Sequence, residues 1–147
     1  MTKRKPGPRP AVIGTCTLAI RGIEDADELL ANGLEMIDAM AREAEKKGWG
    51  LDIVALPEHF AIPSESDPFA TAKNLDGRTV TAVAERARSH GTYAVVPMYV
   101  REGDVVYNSA VLLDRAGEPV GVYHKVFPVV LPDGSIERGV TPGREIP

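Results

Sequence analysis

Two ionisable side chains stand out by the company they keep. Glu58 lies in Leu56-Pro57-Glu58-His59-Phe60, and Lys125 lies in Val122-Tyr123-His124-Lys125-Val126-Phe127. A carboxylate flanked by Pro57 and Phe60 is expected to be partly desolvated. Desolvation disfavours its charged form and makes it a better general base. A lysine between apolar neighbours can hold an oxyanion or pair with a carboxylate. Taken singly, Glu58 reads first as a solvated loop acid, and Lys125 equally as a snorkelling surface lysine.

The remaining reactive residues point to less. His59 follows Glu58 and His124 precedes Lys125, and two histidines with a glutamate could bind zinc. Their spacing matches no zinc motif, and His90 falls at a predicted helix end, so no metal is expected. Gly139 and Gly143 form neither a Walker nor a dinucleotide pattern, so no nucleotide cofactor is expected. The single cysteine, Cys16, excludes an internal disulfide framework. It falls inside the first predicted strand, where a small thiol usually packs into the core.

The elements that must position these groups can be read from the pattern. Ala11 to Ile20 is rich in β-branched residues and predicts a first strand. Asp25 and Asp27 open a helix whose Leu30, Leu34, Ile37, Ala41 and Ala44 form one apolar face. Lys46 and Lys47 suit its C-terminal end, and Gly48 its stop. Leu51 to Leu56 predicts a second strand, ended by Pro57. A loop runs from Glu58 to about Asp76. Thr79 to Arg88 predicts a second helix, closed by Gly91. Three strands follow: Tyr93 to Val100, Val105 to Asp114 and Val120 to His124, with turns at Glu102-Gly103-Asp104 and Arg115-Ala116-Gly117-Glu118. Phe127 to Pro147 reads as loop. The order β-α-β-α-β-β-β predicts an α/β sheet that begins parallel and ends in hairpins. In such sheets ligand-binding residues lie just beyond the carboxyl ends of strands, where Glu58 sits.

Composition sets the outer bounds. At 147 residues the chain has the size of one domain. Its apolar fraction of 44% and charged fraction of 26% exclude a disordered tail and a collagen-like repeat. A net charge of −4 gives no electrostatic case for non-specific nucleic-acid binding. No apolar run approaches the ~20 residues of a membrane helix. Residues 1–10 read as a flexible, basic, proline-rich leader, and 11–147 as the folded portion. The apolar stretch after the leader is short and lacks a small-residue cleavage site, so it is not read as a signal peptide. A cytoplasmic location is expected, and a lone thiol suits it.

Several ordered segments carry a resemblance. They are Leu-Pro-Glu after a strand, Tyr107-Asn108-Ser109-Ala110-Val111, Asp114-Arg115-Ala116-Gly117, Tyr123-His124-Lys125, and Glu137-Arg138-Gly139-Val140-Thr141-Pro142-Gly143-Arg144-Glu145. In this order the chain resembles the N-terminal half of the carbon–nitrogen hydrolase (nitrilase) superfamily. The resemblance implies an α-β-β-α sandwich, present here in part, and a Glu-Lys-Cys triad without cofactor. By motif position it assigns Glu58 as general base and Lys125 as oxyanion-stabilising lysine. It assigns Glu137 as the glutamate that supports the lysine and places Asn108 near the site, where it reads equally as a simple strand-start residue. Asn108 and His59 are taken as candidate substrate-binding residues, with a supporting or surface role open for each histidine. The implied substrate is a small amide, N-carbamoyl compound or nitrile, and the implied assembly a homo-oligomer.

The family's nucleophilic cysteine follows a further strand after Pro-Gly-x-Glu, and nothing in this chain corresponds to it. The chain alone is therefore expected to be inactive, with Cys16 structural. A different class of reading is a non-catalytic fragment, or one half of a split enzyme completed by a C-terminal half on another polypeptide. Half a sandwich leaves an apolar face and a sheet edge that favour pairing. A third reading, an unrelated α/β binding domain, requires the ordered motifs to be accidental.

Overall fold

The computed structural model describes residues 9–64 and 66–145. One five-stranded sheet runs in the order β1 (Ile13–Thr15), β2 (Ile53–Ala55), β3 (Tyr93–Glu102), β4 (Val105–Leu113) and β5 (Pro119–His124). β1, β2 and β3 are parallel, and β3, β4 and β5 are antiparallel. Helix α1 (Ala26–Lys46) connects β1 to β2, and α3 (Arg78–His90) leads into β3. The sheet that begins parallel and ends in hairpins is the one expected.

α1 forms where expected because its ends are marked. The Asp25 side chain accepts from the Asp27 N–H, and Gly48 (φ 73°) turns the chain away after Lys47. Its buried face of Leu30, Ile37, Ala41 and Ala44 packs with Val80, Val83, Ala84 and Ala87 of α3. Both pack on the face of the sheet that carries Val54, Ala94, Val96, Met98, Val111 and Leu113. Strand alternation sends the intervening residues to the other face. There Tyr99 and Val106 meet Ile62 and Val140 in a second, smaller core. The described residues thus supply a sheet with helices on one face, two layers of the expected sandwich.

Four details differ from expectation. The first strand covers three residues rather than ten, and the second three (Ile53–Ala55) rather than Leu51 to Leu56, because the parallel ladder between them holds only Ile13–Thr15 against Ile53–Ala55 before Leu56 and Pro57 turn away. Cys16 therefore lies just past the strand, partly buried against the main core. The loop after Glu58 contains a helical turn, α2 (Pro68–Thr71), begun by Asp67 as cap with proline in the first turn. The tail is more than loop: Val130 bridges Ile136, and a 3-10 turn spans Glu137–Gly139.

Of the leader, residues 1–8 lie outside the described residues. Arg9 clasps Asp52 through two hydrogen bonds of 2.7 and 2.6 Å. No helix among the described residues is long and apolar enough to cross a membrane.

Candidate active site

Glu58 is delivered by a short turn anchored in the core at both ends. Leu56 and Phe60 are buried, and the Phe60 N–H closes the turn on the Pro57 carbonyl at 3.1 Å. Phe60 packs on Gly33 of α1, where a methyl group would lie 2.5 Å from the ring. Between the anchors, His59 adopts a left-handed backbone (φ 63°). The only other non-glycine residue with positive φ among the described residues is Arg138 (φ 52°), directly after Glu137. Such conformations cost roughly 1–3 kcal/mol and persist where surrounding contacts over-determine them. Here both directly follow a candidate carboxylate.

β4 and the end of β5 bring the partners. Asn108 Nδ2 donates to Glu58 Oε1 at 2.6 Å, and Lys125 Nζ donates to the same oxygen at 3.1 Å. Asn108 also holds the lysine's backbone, since its carbonyl accepts from the Lys125 N–H at 2.8 Å. On the other side of the ammonium stands Glu137, whose Oε2 is 3.6 Å from Lys125 Nζ. The same oxygen accepts from the Val129 N–H at 3.2 Å. Gly143 fixes the tail that carries Glu137 by donating its N–H to the Lys125 carbonyl at 2.9 Å. A Cβ at Gly143 would lie 2.3 Å from the His124 carbonyl oxygen, so only glycine fits this approach. Arg138 ties the loop after Glu58 to the same tail by donating to the Ser64 and Ser66 carbonyls.

The electrostatics differ from the sequence expectation in one respect. Burial pushes the Glu58 carboxyl up, but the hydrogen bonds from Asn108 and Lys125 and the lysine's charge outweigh it. Its pKa falls below the ordinary glutamate value rather than rising. Burial likewise lowers Lys125, and the two carboxylates outweigh it, leaving the ammonium more firmly protonated than usual. The cluster is thus an ionised carboxylate, a fixed cation and a second carboxylate that braces the cation.

The structure brings all five sequence-selected residues together: Glu58, His59, Asn108, Lys125 and Glu137. His59 Nε2 lies 3.9 Å from Glu58 Oε1 and 3.0 Å from the Tyr99 hydroxyl. Tyr99 was not selected from the sequence. The register that places it directly across from Asn108 is a product of the β3–β4 hairpin. His124 and His90 lie elsewhere. His124 stacks on Tyr107 and bonds Ser109 and Glu102, and His90 bonds Asp38. Burial raises the Cys16 pKa and so favours the protonated thiol. Among the described residues no hydrogen bond joins its sulfur to a base.

Residues 12–145 match the family model for carbon-nitrogen hydrolase. Over 94 residues the chain is 33% identical to a nitrilase of Pyrococcus abyssi, covering 60% of this chain and 35% of that protein. A carbon-nitrogen hydrolase from Helicobacter pylori G27 superposes on 91% of this chain and 45% of its own, with TM-score 0.71 and 16% identity. An amidase from Nesterenkonia sp. superposes on 90% of this chain and 48% of its own, with TM-score 0.66 and 23% identity. The chain spans about half the length of these solved structures and about a third of the curated relative.

Proposed function

The chain belongs to the carbon–nitrogen hydrolase family, and on that premise we propose that it is the base- and cation-bearing portion of an amidase- or nitrilase-like hydrolase. Its substrate class is a small amide, N-carbamoyl compound or nitrile. Glu58 takes the proton from a thiol nucleophile as that thiol attacks the carbonyl or nitrile carbon. Lys125 stabilises the charge that develops on the attacked group, and Glu137 holds Lys125 in place. Asn108 positions Glu58 and, with His59, borders the substrate. Glu58 passes the thiol's proton to the substrate nitrogen as the C–N bond of an amide or N-carbamoyl substrate breaks and ammonia or an amine departs, and the freed carboxylate then takes a proton from the water that hydrolyses the acyl-enzyme.

The observation that carries this reading is the single oxygen of Glu58 that accepts from both Asn108 and Lys125, with Glu137 on the far side of the ammonium. A carboxylate that stays ionised can accept a proton, and a cation braced by two carboxylates stays charged while an anion forms beside it. The nucleophile is proposed to lie outside residues 1–147, because Cys16 is a partly buried thiol with no base beside it. The 147-residue chain alone then has no turnover. A cytoplasmic setting belongs to the same proposal.

The test is ammonia release from propionamide, an N-carbamoyl amine and propionitrile by the product of the intact reading frame. Turnover of at least one, reduced about 100-fold or more by Glu58→Gln, is expected for loss of a general base. No turnover, or turnover indifferent to Glu58→Gln, overturns the reading.

A second reading, favoured by one observation, is that this chain is completed by another polypeptide. A cleft of about 780 Å3 opens at the β1 edge, lined by Val12, Ile13, Met36, Met40, Trp49 and Leu51. Ile13 is 66% and Trp49 56% exposed. An edge strand with no second strand partner among the described residues, beside apolar side chains, is a pairing surface, suited to a complementary C-terminal half or a second copy. Sedimentation showing a monomer at all concentrations counts against the second copy. Failure to capture a co-expressed C-terminal half counts against the first.

A further inference from the structure

We propose that Tyr99 is a positioning residue that locks His59 in the tautomer carrying its proton on Nδ1, and so withholds an N–H from Glu58. The inference rests on the reading of Glu58 as base, but its structural content can be tested without turnover.

Tyr99 is 2% exposed, and its hydroxyl lies 3.0 Å from His59 Nε2. Among the described residues the hydroxyl has no other hydrogen-bond partner. A buried hydroxyl must place its proton on an acceptor or leave it unsatisfied, at a cost of about 1–3 kcal/mol. The available acceptor is the Nε2 lone pair. A neutral imidazole that accepts at Nε2 carries its proton on Nδ1. Burial lowers the His59 pKa and so keeps the ring neutral. Around it, Glu58 and Glu137 favour the charged form, while Arg138 and Lys125 oppose it. The left-handed backbone of His59 (φ 63°) also needs an outside constraint, and the Tyr99 bond is one.

The consequence falls on Glu58. Its Oε1 is 3.9 Å from the same Nε2, within reach of a small ring movement. With the proton on Nε2, His59 would become a third donor to an oxygen that already accepts two. Each donor to the charged form makes a carboxylate a weaker base. By occupying Nε2, Tyr99 preserves the basicity left to Glu58 by Asn108 and Lys125. Asn108 and Tyr99, opposite each other on β4 and β3, thus act on the carboxylate from two directions.

The experiment is long-range 1H–15N correlation of the imidazole rings in the 15N-labelled 147-residue chain. The His59 signals are assigned by their loss in His59→Gln. The wild-type ring is expected to show protonated Nδ1 and unprotonated Nε2. In Tyr99→Phe the proton moves to Nε2, the His59 pKa rises and the Glu58 carboxyl pKa falls. A wild-type ring protonated on Nε2, or a Tyr99→Phe ring and titrations unchanged from wild type, overturns the proposal. If Tyr99→Phe does not fold, the wild-type spectrum alone decides. A failed tautomer leaves the Glu58 base reading standing, and a failed activity assay leaves the tautomer standing.

Discussion

Gly33→Ala on α1 tests the link between the core and the turn that delivers Glu58. In a helix interior this substitution ordinarily stabilises by about 1 kcal/mol, because alanine loses less backbone entropy. Here the new methyl would lie 2.5 Å from Phe60 Cδ2 and 2.9 Å from Cε2. Phe60 is fully buried, so its ring cannot swing into solvent. Overpacking of that kind costs roughly 1–3 kcal/mol. The clash is a rigid ring edge rather than the end of a flexible chain, so the upper part of that range applies and the clash wins. The expected net loss is about 1–2 kcal/mol. For a chain of this size that lowers Tm by about 2–8 °C, read by thermal unfolding followed by circular dichroism. Introducing Phe60→Leu should relieve the clash, so Gly33→Ala costs less in that background than alone. A Gly33→Ala protein with a raised Tm would mean that Phe60 is not wedged on α1.

Two further predictions concern the tail and the helix pair. Gly143→Ala places a methyl 2.3 Å from the His124 carbonyl and should break the Gly143–Lys125 backbone bond. The expected result is loss of amide-exchange protection at Gly143, with α1 and α3 protection retained; unchanged protection refutes the tight approach. Asp38 bonds His90 and Arg86 across α1 and α3 at 2.6 and 3.1 Å. Burial raises its pKa, but those partners outweigh it and leave the pKa below the ordinary aspartate value. A carboxylate lowered on folding stabilises above its unfolded pKa and loses that contribution as pH falls through the folded one. Asp38→Asn should therefore cost up to about 1 kcal/mol near pH 7 and progressively less as pH falls below the ordinary aspartate value. A cost independent of pH in urea titrations would contradict the assignment.

The sequence made some parts of this account plain and hid others. Glu58 was legible because Pro57 ends a strand that the preceding apolar run defines, and α1 because its acidic start and apolar face coincide. The direction of the Glu58 shift was not. The sequence displays Pro57 and Phe60 beside it, but the donors that decide the balance lie 50 and 67 residues away in Asn108 and Lys125. Tyr99 was hidden for a related reason. Alternation assigns it to a sheet face, but its meeting with His59 depends on a left-handed turn that no sequence pattern marks. The first strand was read too long because β-branched composition reports propensity, while strand length is set by what the neighbouring strand offers.

Glu58, Lys125 and Glu137 should behave as one electrostatic unit, and the most direct measurement of this is the Glu58 carboxyl titration by 13C NMR in the 147-residue chain. Wild-type Glu58 should titrate below an ordinary glutamate, because the Asn108 and Lys125 donors outweigh its burial. In Lys125→Met the cation and one donor are gone while the burial remains, so the pKa should rise. A Glu58 that titrates as an ordinary glutamate, and does so equally in both proteins, would contradict the account.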